Sequence, residues 1–212
     1  MILEFCAENF DLVPEAIEKG IHRIELCDAL DVGGTTPASE VQKETVDYAH
    51  MRGVEVVCMI RPRGGNFIYT DEEKERMIKQ AQEAVENGVD GLVFGCLTEE
   101  GQLDKPILEE FISIAQKGNR EVVFHMAFDY IPEDNQKEAL EWLINKDVTR
   151  ILTRGGIKGT ALENSETINR TIRWAEDRIQ ILPGGGVTHD TLPELDKTLN
   201  TNQFHGTKVV PL

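Results

Sequence analysis

An α/β fold, a TIM (β/α)8 barrel in one domain over residues 1–212, is the class this sequence predicts, on three observations. Apolar, β-branched runs of strand length recur about eight times, each followed by a helical stretch. Reactive side chains gather where those runs stop. Between Glu121 and Asp129 the chain reads Glu-Val-Val-Phe-His-Met-Ala-Phe-Asp; Glu25 and Cys27 end the run from Arg23, Arg61 and Arg63 follow Val54 to Ile60, and Thr153 and Arg154 end the run from Thr149. Finally, 212 residues suffice for one buried core but lie near the lower limit for an eightfold barrel, and no linker or change of pattern divides them.

In chain order the strands are expected at Ile2 to Cys6, Arg23 to Cys27, Glu55 to Arg61, Gly91 to Leu97, Glu121 to Ala127, Arg150 to Thr153, Ile179 to Leu182 and Gln203 to His205. The plainest helix runs from Asp71 to Asn87. Thr70 and Glu73 have capping-box spacing, Met77, Ile78, Ala81, Ala84 and Val85 recur at helical intervals, and Gly88 is the stop. Asp104 with Pro106 opens another that Gly118 closes, and Gly20 and Gly53 end two earlier ones. Strictly alternating strands and helices imply a parallel sheet that closes on itself. The eighth helix is missing or truncated. Only Gly206 to Leu212 follow the last strand, so that edge is expected to be covered by another subunit in a homo-oligomer.

A net charge of −16 and a pI near 4.7 repel nucleic acid and anionic membrane surfaces, leaving a metal ion, a small anionic ligand or a protein as partner. Neither a basic leader nor a run of about 20 apolar residues is present, which points to the cytoplasm. Cys6, Cys27, Cys58 and Cys96 are widely spaced, without Cys-x-x-Cys, and a reducing compartment keeps them as thiols.

Ordered motifs along almost the whole chain carry a resemblance. They are Arg-Ile-Glu-Leu-Cys at 23–27, Gly-Gly-Thr-Thr-Pro at 33–37, Met-Ile-Arg-Pro-Arg at 59–63 and Asn-Phe-Ile-Tyr at 66–69. Phe-His-Met-Ala-Phe-Asp at 124–129, Arg-Ile-Leu-Thr at 150–153, Gly-Gly-Gly at 184–186 and Phe-His-Gly at 204–206 complete the set. The chain resembles the copper homeostasis protein CutC family. The resemblance implies a cytoplasmic TIM barrel associated with copper handling. It also marks two departures: Met126 stands where the family usually has arginine, and Asn66 where it usually has aspartate.

Three constellations carry chemistry. Glu4 and Cys6 on the first strand are echoed by Glu25 and Cys27 on the second, and strand alternation puts each glutamate on the same face as its cysteine. With neighbouring strands about 5 Å apart, thiols at one level can bind a soft Cu(I) ion; equally, they can be small core residues. Cys58 alternates out of phase with Arg61 and Cys96 sits among Leu92 and Phe94, so both are expected to pack against helices. Glu25, His125, Asp129 and His205 form an acid-base set at one rim, with Glu4 deeper; His125 either moves a proton or is simply satisfied by a neighbouring carboxylate. Gly184, Gly185 and Gly186 make either an anion cradle or a tight turn. Arg61, Arg63 and Arg154 either add a positive pocket for a small, phosphorylated substrate of a TIM-barrel enzyme or pair with Glu25 and Asp129. Phe67 and Tyr69 either close over a ligand or pack on their loop, and His22, His50 and His189 are expected at the solvated surface.

Overall fold

Strand periodicity sets the architecture, because every second side chain must find either the barrel interior or the helical layer. The computed structural model describes all 212 residues, in eight parallel strands ordered β7-β6-β5-β4-β3-β2-β1-β8. They are β1 (Ile2–Glu8), β2 (Arg23–Cys27), β3 (Glu55–Met59), β4 (Gly91–Phe94), β5 (Glu121–Phe124), β6 (Arg150–Thr153), β7 (Gln180–Pro183) and β8 (Gln203–Gly206). Between them run α1 (Val13–Glu18), α2 (Ser39–His50), α3 (Asp71–Glu86), α4 (Lys105–Lys117), α5 (Glu133–Asn145), α6 (Ser165–Ala175) and α7 (Leu192–Thr198). No helix is long and apolar enough to cross a membrane.

Two cores result. Outward residues such as Ile24, Leu26, Leu92, Phe94 and Phe124 join the helix faces in a cluster of 50 buried residues, which includes Cys58 and Cys96 as expected. Inside the barrel, Cys6 and Cys27 lie with Val57, Met59, Val93, Val123, Leu152 and Leu182. Helix α3 starts at the anticipated capping box, and Glu73 there also takes an ion pair from Arg63 at 2.6 Å. Gly118 caps α4 for a packing reason: a Cβ would lie 2.5 Å from Val85 Cγ1, while the left-handed turn falls on Asn119.

Several strand ends come earlier than expected. Strands β3, β4 and β5 stop at Met59, Phe94 and Phe124, so Arg61, Leu97 and His125 belong to loops. After β5 the chain winds into a 3₁₀ turn, Met126–Tyr130, capped by His125, whose Nδ1 accepts the Ala127 N–H at 3.1 Å. That local hydrogen bond competes with continuation of the strand.

The chain itself covers part of the last strand. No helix follows β8, yet Phe204 is fully buried, because the tail folds back and buries Val209 and Val210 against the same core. Thr188 and Lys208 form a parallel bridge that fixes this tail. Strands β7 and β8 are neighbours without a ladder of their own; Gln203 Nε2 donates to Gln180 Oε1 at 3.2 Å, and Thr201 donates to the Ile181 carbonyl at 3.1 Å.

The N-terminal end of the barrel is closed by charge. Arg23 and Arg150, each 2% exposed, point into it. Arg23 pairs with Glu4 and reaches Gln203 at 3.3 Å, and Arg150 pairs with Glu121 at 2.8 Å. The larger cluster of unpaired acids, bases and thiols lies at the opposite mouth.

Candidate functional site at the barrel mouth

Register decides which predicted residues meet. Cys6 lies level with Glu25, not with Cys27, and His205 lies level with Glu4. The thiols are thus one diagonal step apart, with the Glu25 carboxylate between them. Glu25 Oε2 lies 3.5 Å from Cys6 Sγ, 3.6 Å from Cys27 Sγ and 3.6 Å from His205 Nε2. Beneath them Glu4 Oε1 is 2.8 Å from His205 Nδ1, and the other Glu4 oxygen is held by Arg23. A buried column of alternating acid and base therefore runs from the closed end up to the two sulfurs.

Its electrostatics follow from burial and contact. Burial acts to raise the pKa of Glu4, but Arg23 and His205 overcome it and hold the carboxyl near 2. Burial works against the His205 cation, yet the Glu25 and Glu4 carboxylates and Cys6 raise its pKa well above the ordinary imidazole value. Burial raises Glu25. Hydrogen bonding from Cys27 brings Cys6 down to about 5, and the same contact pushes Cys27 up. One thiolate beside one thiol is the arrangement these shifts favour.

These groups floor a cavity of about 220 Å³ whose walls are Leu30, Met59, Phe67, Met126 and Leu152. Arg61 and His125 also line it, but neither joins the column. The Arg61 guanidinium donates to the carbonyls of Val32, Gly33, Gly34 and Gly65 at 2.9–3.1 Å, and stacks 5.0 Å from Phe67. Gly33 and Gly34 have φ of 88° and 85°, the left-handed turn that aims those carbonyls at it. Arg61 is therefore a staple of the β2 and β3 loops, and pairs with neither Glu25 nor Asp129. His125 has Nδ1 committed to Ala127, so the neutral ring carries its proton on Nε2, which has no partner. Burial, then Arg61, lowers its pKa to about 3, so it stays neutral.

No carboxylate satisfies His125. Asp129 accepts from the Thr153 hydroxyl and, at 2.9 Å, from the Arg154 N–H, so its oxygens fix the β6 loop. Arg63 sits on the outer surface, bound to Glu73 and to the Ile68 carbonyl. Arg154 is different. Its guanidinium meets no carbonyl or carboxylate of the chain: Nη2 lies 3.9 Å from Met126 Sδ, and Nε, like that of Arg61, is buried without a partner. Gly184 packs so closely that a Cβ would come within 2.8 Å of Leu152 and Met126, and at Gly185 one would lie 2.7 Å from Arg154 Nε. Gly185 and Gly186 take φ of 84° and 73°, and their amides donate to no group of the chain. With Asp129, Tyr130 and Ile157, Arg154 lines an outer vestibule of about 330 Å³ that shares Arg61, Phe67 and Met126 with the inner cavity. Phe67 and Tyr69 are both buried; Phe67 packs 4.9 Å from the His125 ring.

Arg23, Arg150, Gln180 and Gln203 escaped the sequence reading, which treated Arg23, Arg150 and Gln203 only as strand starts and Gln180 as an ordinary strand residue. Their signal was available: Arg23 is two residues before Glu25 and Gln203 two before His205, so each shares an inward face with a site residue.

The model of the CutC family matches residues 1–210. A CutC family protein of Enterococcus faecalis is 49% identical over 99% of this chain and all of its own length. The human copper homeostasis protein cutC homolog is 38% identical over 96% of this chain and 72% of its own length. A solved CutC structure from Streptococcus agalactiae superposes with a TM-score of 0.94 at 40% identity, covering 99% of this chain and 100% of the other. An aldolase superposes with a TM-score of 0.72 at 18% identity, covering 99% and 90%, a likeness of fold alone.

Proposed function

The chain belongs to the CutC family, and from that premise we propose that it is a cytoplasmic copper-homeostasis protein whose cargo, Cu(I), is held by Cys6 and Cys27. One observation carries the reading: the two thiols and a Glu25 oxygen lie within 4.8 Å of one another, buried at the floor of a cavity. Soft thiolate and thioether ligands select Cu(I), and Met59 and Met126 line the same cavity. Met126, which replaces the arginine usual at its position, adds polarizable sulfur where a positive charge would repel a cation. The contacts with Cys27 and His205 that lower the Cys6 pKa favour the thiolate form that a soft cation takes as ligand. All four cysteines are free thiols, in keeping with a reducing compartment. Titration with Cu(I) against a competing chelator tests this. Cys6→Ser and Cys27→Ser are each expected to abolish tight binding, while Cys58→Ser, which faces the helices, leaves it unchanged. Unchanged affinity in the first two removes copper from the site.

A second reading is favoured by one specific observation, the unpartnered Arg154 Nε beside two free glycine amides. On this reading the mouth is an enzyme site for a small anionic or phosphorylated substrate. Arg154, Gly185 and Gly186 hold the anion while Glu25, His125 and Asp129 surround the reacting end; Arg61, Arg63, Gly184 and His205 shape the site through their neighbours. Calorimetry with phosphate and sulfate is the test. Arg154→Ala should weaken binding by about 1.5–3 kcal/mol, against near zero for the exposed Lys79→Ala. Equal behaviour of the two variants removes the anion site.

A further inference from the structure

Two hydrogen-bond donors on the β5–β6 side of the mouth are unused, and one wall joins them. The His125 ring, 4% exposed, rests one edge on the bare backbone of Gly95, where a Cβ would lie 2.5 Å from Cε1 and 2.6 Å from Nδ1. Nδ1 accepts the Ala127 N–H, so the ring proton sits on Nε2, buried and without a partner. A buried donor left unpaired is costly, and an oxygen of a ligand in the cavity would satisfy it.

Arg154 supplies the other donor. Its Nη2 meets only the Met126 sulfur, and its side chain lies along Gly185, where a Cβ would come within 2.7 Å of Nε. Met126 and Phe67 line both the inner cavity of about 220 Å³, which His125 also lines, and the outer vestibule of about 330 Å³, which Arg154 lines. Phe67 packs 4.9 Å from the His125 ring, and Met126 touches Arg154. The two spaces therefore adjoin at this wall, with a cation on the outer side and a neutral N–H on the inner one.

From this arrangement we infer that the mouth takes a small anion with a carbonyl group a short chain away from its charge. Arg154 and the amides of Gly185 and Gly186 hold the anionic head, and the carbonyl oxygen accepts a hydrogen bond from His125 Nε2–H. The inference rests on the anion reading of the mouth and adds the uncharged contact that defines the substrate class; it involves neither thiol. Phosphate and carboxylate heads share this chemistry. A donor fixed at the carbonyl oxygen also stabilises negative charge that develops there, which makes the neighbouring carbon more reactive.

Calorimetry on the full chain with two matched pairs tests the inference and separates the heads. Acetonyl phosphate and propyl phosphate differ only in the carbonyl oxygen, as do levulinate and pentanoate. The wild type should bind the carbonyl member of at least one pair about 10-fold more tightly, since its partner leaves a buried donor unpaired. The pair that shows this identifies the head. His125→Asn keeps an acceptor for the Ala127 N–H and removes the Nε2 donor, so the preference should vanish while the carbonyl-free member binds as before. Arg154→Ala should weaken both members alike. Equal binding of the two members by the wild type overturns the inference and leaves the anion reading standing, as does a preference that survives in folded His125→Asn. If neither pair nor inorganic phosphate binds, both readings fall. Should His125→Asn not fold, the wild-type comparison decides on its own.

Discussion

On the β8–β1–β2 side of the mouth, Cys6, Cys27, Glu25 and His205 face one another at the floor of a cavity, backed by Glu4 and Arg23. Across the mouth, on the β5–β6 side, Asp129 gives both its oxygens to Thr153 and Arg154, and His125 gives Nδ1 to Ala127. Both sides present acids and bases at strand ends. Only the first leaves them facing each other, so position on the rim locates a site but the partner of each polar group determines what chemistry is available.

The largest test of that difference removes the support of the first side. Arg23→Ala leaves one Glu4 oxygen buried without its guanidinium, with only His205 on the other, and should cost about 3–5 kcal/mol in denaturant unfolding. A loss under 1 kcal/mol would mean that Glu4 is not charged in the fold.

Acid titration should separate the two sides by sign. Glu4 is depressed from 4.5 to about 2, so it contributes stability above pH 4.5 that is lost as the pH falls toward 2. Asp129 is raised by burial above its ordinary 3.8, so its ionisation burdens the fold above that pH. Stability measured against pH should therefore flatten at the acid end in Glu4→Gln and change in the opposite sense in Asp129→Asn. The same slope in both variants would erase the contrast.

Smaller effects follow on the β5–β6 side. Asp129→Ala should cost about 1.5–3 kcal/mol through the Thr153 and Arg154 contacts, without changing metal affinity. A matching fall in affinity would join the two sides into one site. Least of all, Arg63→Ala breaks a surface pair with Glu73 and should cost about 0–1 kcal/mol by the same denaturant assay.

Period-two alternation made the barrel legible before any coordinates, and with it the inward direction of Cys6 and Cys27 and the outward direction of Cys58 and Cys96. Strand ends were less legible, because the turn after Phe124 depends on a side chain, His125, bonding its own backbone. Register was not legible at all. Placing Cys6 level with Glu25 is a property of two paired strands, and neither strand's sequence states it. The arginines misled for a related reason: Arg61 ends a strand like an anion ligand, but the turn at Gly33 and Gly34 brings it carbonyls first.

The column couples residues 4 and 205, 201 positions apart. As the chain is synthesised, both thiols emerge among its first 27 residues, while the imidazole beside them arrives with the final strand. A growing chain thus lacks the upper half of this acid-base column through nearly all of its synthesis, and Glu4 meets its histidine only once β8 has closed against β1.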